Sequence, residues 1–254
     1  AMELAGVNPL SKEGLNIAVE GGEIIKDKMG NPTGIFNERA MALITKHIPE
    51  NTPERDAQAL ELAMETCARN GITSFHDAGA SRSDIELFNQ FNKEQKLKSR
   101  LYVMLTGRDR SLINEWYRKG PVVDPRGVTV RSIKLNCDGA LGSRGAWLLE
   151  PYSDRSETTG MATLSMDTVL ATSRSGLTYG FQVCSHAIGD RANREILDRY
   201  EMAFNENPGH DHRYRIEHAQ HLHPNDIPRF GKLGVIPAMQ AIHLSSDRPW
   251  AIER

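Results

Sequence analysis

The chain has 254 residues, 39% of them hydrophobic and 25% charged, with a formal net charge of −2 at pH 7. That length can bury a substantial core in one large domain or two small ones. The near-neutral balance, with no Lys/Arg run and no interleaving of basic and aromatic residues, argues against a nucleic-acid partner, and no apolar stretch approaches a membrane span.

The first residues, "AMELAGVNPL", carry no basic n-region and no apolar h-region, so they do not read as a signal peptide, and a cytoplasmic protein is expected. They read as the middle of a helix running into Asn8-Pro9, and "DRPWAIER" at the other end reads as a helix cut short. Both ends are expected to lie within a longer polypeptide. "GGEIIKDKMGNPTGIF" has two short apolar runs around a Gly-Asn-Pro turn and predicts a β-hairpin. "NERAMALITKHIP" predicts a helix. Residues 1–52 are therefore assigned to an inserted or appended subdomain.

From residue 53 the pattern changes. Thr52 reads as an N-cap and Pro53 as the first helical position, followed by Leu60, Met64, Cys67 and Ala68 at helical spacing and a stop at Gly71. Beyond it, helical segments alternate with six apolar runs: "ITSFHDAG", "RLYVMLTG", "VTVRSIKLNCDG", "FQVCSHAIG", "YRIEHAQ" and "VIPAMQA". Such alternation predicts a parallel sheet covered by helices over residues 53–254. The runs begin apolar and end polar, at His76-Asp77, Asn136 to Asp138, Ser185-His186, Glu217-His218 and Gln240. In a (β/α) barrel those ends converge on the active site. An open doubly wound sheet would also bind at its C-terminal strand ends, but no GxGxxG follows the first strand, which disfavours a dinucleotide fold. Cys67, Cys137 and Cys184 are far apart and read as small buried hydrophobes, with no disulfide framework and no CxxC zinc site.

His186 and His218 end strands of consecutive units, where two imidazoles can reach one metal ion. Each alone reads as a hydrogen-bonded turn histidine; equivalent positions in neighbouring units favour ligands. Lys134 lies inside a buried strand one unit earlier. A buried amine is costly unless paired or neutralised. One solution is reaction with carbon dioxide to a carbamate able to bridge divalent metals; a buried stem with a solvated head is the other. The pairs His210/His212 and His221/His223 have HxH spacing but fall before a strand and in a loop, so solvated loop histidines are expected. His76 and His243 also fall near strand ends. "DGALGSRGA" is a Gly-rich loop placed over the proposed site, where Ser143, Arg144 or backbone N–H groups could meet substrate; it is no Walker loop.

Together, "AMELAGV", "GNPTGIF", "GITSFHDAG", "IKLNCDGALGSRGA", "HAIGDRAN", "RIEHAQ" and "DIPRFGKLGVIPAMQAIH" resemble the amidohydrolase superfamily, in its amidohydrolase-3 (YtcJ-like) branch, along nearly the whole chain. The resemblance implies a (β/α)8 TIM-type barrel beside a smaller β-rich domain, with one or two divalent ions, usually zinc, activating water against an amide-like C–N bond of a small-molecule substrate. Lys134, His186 and His218 match the family's ligands on barrel strands four, five and six. Arg144, Gln240 and His243 are expected substrate contacts. The family's strand-one HxH and strand-eight aspartate have no counterpart here, so the six runs correspond to strands two to seven. An incomplete barrel implies weak or no metal binding and no turnover by this stretch alone, and two open sheet edges able to drive self-association. Two alternatives stand beside this reading. One is another metal hydrolase on the same barrel, such as a phosphotriesterase-like enzyme. The other is a non-catalytic binding or structural module.

Overall fold

The computed structural model describes residues 2–3, 5–7, 17–208 and 212–254. Leu4, Asn8 and Pro9 of the expected N-terminal helix, and His210 of the first HxH pair, lie outside them.

The predicted hairpin forms from β1 (Gly22–Lys26) and β2 (Pro32–Glu38), paired antiparallel. Its turn is closed by Asp27, whose carboxylate accepts the backbone N–H groups of Met29 and Asn31. The helix expected next is largely absent. A 3-10 turn (Arg39–Met41) leads into α1 (Ala42–Thr45), four residues long. Neither piece has a side-chain cap, and Glu38 enters the turn at φ 50°, ψ −125°. Helix nucleation is unfavourable without caps and length, and the end of β2 is held elsewhere, as described below.

α2 (Pro53–Arg69) starts as predicted, with the Thr52 hydroxyl accepting from Arg55 N and Pro53 in the first turn. β3 (Ser74–Ala80), α3 (Arg82–Lys93), β4 (Arg100–Thr106), α4 (Arg110–Lys119), β5 (Val128–Asn136), α5 (Met166–Tyr179), β6 (Gln182–Ala187), α6 (Asp190–Glu206), β7 (Arg215–His218), α7 (Ile227–Leu233) and β8 (Ile236–Ala238) follow, then α8 (Ile242–Ser246) and α9 (Arg248–Ala251). The six strands form one parallel sheet in the order β3-β4-β5-β6-β7-β8. Each strand lies beside the next in sequence, which is the order of a barrel wall; a doubly wound sheet would reverse direction midway. The sheet is a curled arc of a TIM-type barrel. β3 and β8 do not pair with each other.

Side-chain alternation gives the arc an outer and an inner face. Val183, Ala187 and Ile216 point outward into the main core, shared with Ile196, Leu197 and Tyr200 of α6. Ser185 also points out, where the Tyr200 hydroxyl donates to it at 2.7 Å. Gln182, Cys184 and His186 therefore line the inner face. Cys137 and Cys184 are fully buried, and burial pushes the Cys137 thiol up to about 12. Cys67 is only half-buried, unlike its expected state, because it sits at the margin of α2 beyond the buried Leu60 and Met64. A smaller cluster around Val7, Ile24 and Ala40 holds the hairpin. Among the described residues no helix is long and apolar enough to cross a membrane.

Candidate metal centre

Lys134, His186 and His218 come together at the C-terminal end of the arc. Lys134 is 7% exposed, and Asn136, two residues on, pairs with His186 across the β5–β6 ladder. The Lys134 amine has one long hydrogen bond, 3.3 Å to its neighbour's carbonyl at Leu135. Burial lowers its pKa, and the field of Glu217 opposes that shift. Glu217, 8% exposed, is itself held by Arg215 through contacts of 2.8 and 3.0 Å.

The His186 and His218 rings meet edge to face, centroids 4.6 Å apart. His218 reaches this position through backbone strain. Ile216 faces outward, so strict alternation would send His218 outward too. Instead His218 has φ 75° and the next residue, Ala219, φ 42°, which ends the alternation where the ring must turn inward. A non-glycine residue held there costs about 1–3 kcal/mol, and such strain gathers at functional sites.

The second partners of the two rings set their lone pairs. Gln240 donates through Nε2 to Ala238 O at 2.9 Å, which points its Oε1 at His218 Nδ1, 2.6 Å away. Because Oε1 only accepts, Nδ1 carries the proton and Nε2 keeps its lone pair. Burial keeps His218 below the usual imidazole range. His186 Nε2 is buried without a hydrogen bond. Asp138 Oδ1 lies 3.3 Å from it, but that carboxylate is committed to backbone donors: Trp147 N at 3.0 Å, Ile188 N at 3.0 Å and Gly189 N at 2.8 Å. Buried polar atoms are rarely left unpaired. An orphaned imidazole nitrogen beside a second imidazole poised with a free lone pair, and beside a buried amine, fits a cation bound among them. It is a partial donor set: among the described residues no three His, Cys, Asp or Glu side chains are grouped closely enough to hold a metal by themselves.

The other expected site residues are distributed around this centre. His243 lies 6.0 Å from His218, ring to ring, with Nδ1 3.1 Å from Asp247. Arg144 stands in the Gly-rich loop at φ 60°, bound at two points to Asp154. β3 runs past His76-Asp77 to Ala80, so His76 sits low in the arc, against Tyr102 and Arg215, rather than at the strand end. It lines a cavity of about 600 Å³ with Tyr102, Arg131, Gln182, Arg215 and Ile236. That cavity is the floor of the lumen, at the N-terminal strand ends, and barrel chemistry belongs to the opposite end. His212 stacks on Phe204, below the sheet. His221 is not solvated as its loop position predicts; its Nε2 is buried, because the loop folds back so that His221 N donates to Ile188 O.

The anchoring role of Asp138 and the orienting role of Gln240 were not assigned from sequence. A buried acid directly after a strand, in "NCDG", was the available signal for the first.

Residues 1–254 match a family model described as Amidohydrolase family. Putative amidohydrolase YtcJ of Bacillus subtilis is 30% identical over 92% of this chain and 44% of its own length. Protein LONG AFTER FAR-RED 3 of Arabidopsis thaliana is 31% identical over 97% of this chain and 43% of its own length. This chain thus spans less than half of these curated relatives. An uncharacterized metal-dependent hydrolase from Pyrococcus furiosus superposes with a TM-score of 0.77 at 26% identity, covering 100% of this chain and 49% of that one.

Proposed function

The chain belongs to the amidohydrolase family, and from that premise we propose that the whole protein is a metal-dependent hydrolase whose metal, zinc by preference, is held in part by Lys134, His186 and His218. The carrying observation is the orphaned His186 Nε2 beside a His218 ring whose free lone pair is fixed by Gln240.

A bound divalent ion supplies a water nucleophile near neutral pH and polarises the scissile carbonyl of an amide-like C–N bond. The chain's own residues orient this chemistry. Gln240 fixes the His218 tautomer, as outer partners of metal-binding histidines do. Asp138 fixes the turn at Ile188-Gly189 that follows His186. Burial favours the neutral Lys134 amine, the form that adds carbon dioxide, and a carbamate there would contribute an anionic oxygen donor. A zinc-loaded structure with a bare Lys134 amine rejects that modification. His243, whose ring lies 6.0 Å from that of His218, and Arg144 are the proposed substrate contacts, and Gln240 is the orienting group.

The whole protein, purified without chelators, should contain one to two equivalents of zinc or another divalent metal. Gln240→Leu should weaken zinc binding about 10–100-fold, the effect typical of losing an outer-shell hydrogen bond. Metal content well below one equivalent would return the protein to the class of non-catalytic modules. Expressed as these residues alone, the chain should self-associate through β3 and β8. Ile236, Met239, Ile242 and Leu244 are exposed in and beyond β8, and an open apolar edge invites pairing. Sedimentation velocity showing a monomer at all concentrations contradicts this.

A further inference from the structure

The hairpin does more than flank the arc. Three consecutive residues, the last two of β2 and the first of the 3-10 turn, dock onto the long loop between β5 and α5. Asn37 Nδ2 donates to Ser143 O at 3.4 Å, and Arg39 Nη2 donates to Thr163 O at 2.7 Å. Between them, Glu38 turns its side chain into the loop itself. A methyl group built on Gly145 would stand 2.6 Å from Glu38 Oε1, and one built on Gly139 would strike the same oxygen. Neither glycine has a positive φ. Their backbone does not demand glycine, and a methyl group on either would have to push the Glu38 carboxylate out of the space between them. Glu38 makes this approach from φ 50°, ψ −125°, a conformation foreign to L-residues. Strain is kept where surrounding structure over-determines it, and here bonds on either side hold the residue in place. Arg155, farther along the same loop, reaches back to Glu23 of β1 at 3.0 Å.

We propose that Glu38 is a positioning residue for the candidate metal centre: its side chain, seated between Gly139 and Gly145, pins the loop whose second residue, Asp138, fixes the turn after His186. The seat rests on geometry alone, while its consequence for metal binding rests on the function proposed above. Among the described residues the Glu38 carboxylate makes no hydrogen bond or ion pair, so its role is to fill the seat, and a side chain of equal length serves as well. The hairpin is then part of the active site's framework.

The test uses the whole protein and two readouts, amide hydrogen exchange of residues 139–147 without metal, and zinc affinity by competition with a chromophoric chelator. Glu38→Ala should speed exchange in this segment at least about tenfold, because a local opening has lost its stop, and should weaken zinc binding roughly tenfold, as losses outside the ligand shell do. Glu38→Gln should keep wild-type values in both. Gly145→Ala should match Glu38→Ala in exchange, and the double variant Glu38→Ala/Gly145→Ala should be no worse than either single one, since removing the carboxylate makes room for the methyl group. Wild-type exchange in Glu38→Ala, a Glu38→Gln as impaired as Glu38→Ala, or additive losses in the double variant would each overturn the seat. Altered exchange with unaltered zinc affinity would overturn its link to the site. If the wild type itself binds no zinc, the metal reading fails while the exchange data still decide the seat.

Discussion

His186→Ala and His218→Asn, each made in the whole protein, should lower zinc affinity at least about 100-fold if each removes a ligand, as proposed, rather than an orienting group. The choice of asparagine at 218 follows from the backbone. His218 holds φ 75°, and asparagine tolerates that region better than most residues, so the variant tests the ligand and spares the strand end. Thermal stability separates this outcome from a merely structural role. At zinc near 100 times its Kd, the wild type gains about 2.7 kcal/mol from binding, and a 100-fold weaker variant gains only about 0.4 kcal/mol. Without metal, His186→Ala should unfold within about 1 kcal/mol of the wild type, because the nitrogen it removes has no hydrogen bond to lose. A variant that binds zinc as the wild type does, or one that loses stability equally with and without zinc, removes these histidines from the metal site.

The fold was legible because its signals are local. Thr52-Pro53 announces α2, and each apolar run ending in polar residues became a strand of the parallel sheet. The exceptions also have local causes. α1 is short because the residues before it are drawn onto the loop at Ser143 and Thr163. β3 is longer than its polar His76-Asp77 implies, because the inner face of the arc is polar at its floor as well as at its mouth. Polarity along a barrel strand therefore does not by itself mark the catalytic end.

The site was half legible. As candidates, His186 and His218 stand out by residue type and position at strand ends, and Lys134 as an amine inside a buried strand. What orients them does not. Gln240 lies 22 residues from His218, Asp138 lies 50 and 51 residues from two of the three amides it binds, and Asn37 meets Ser143 across 106. No spacing rule within one element predicts contacts of that range. Gly139 and Gly145 look like ordinary turn glycines in sequence; only coordinates reveal that neither has the φ that would require one, and that a carboxylate occupies the space.

Asp138→Ala should lower the stability of the protein by about 3–4 kcal/mol, the largest loss expected from any single change near the site. Asp138 is 3% exposed and accepts three backbone N–H groups, from Trp147, Ile188 and Gly189. Alanine leaves all three without an acceptor, and each buried unsatisfied donor costs about 1–3 kcal/mol before any water enters. The contacts join the end of β5 to the start of α6, so their loss also loosens the turn behind His186. Gly189 lies against the backbone of Trp147 so tightly that no methyl group would fit on it, so the segments that Asp138 joins are packed closely there. Asparagine does not restore the arrangement. It offers one oxygen where Asp138 uses two, and turns an N–H₂ toward donors. For a domain of this size the loss corresponds to a fall of roughly 10 °C in Tm. The comparison with His186→Ala is the decisive one. His186 and Asp138 stand 3.3 Å apart, yet the first should leave metal-free Tm nearly unchanged while the second lowers it steeply. Equal losses from the two would mean that Asp138 and His186 form one structural pair, and that the imidazole nitrogen is not held in reserve for a metal.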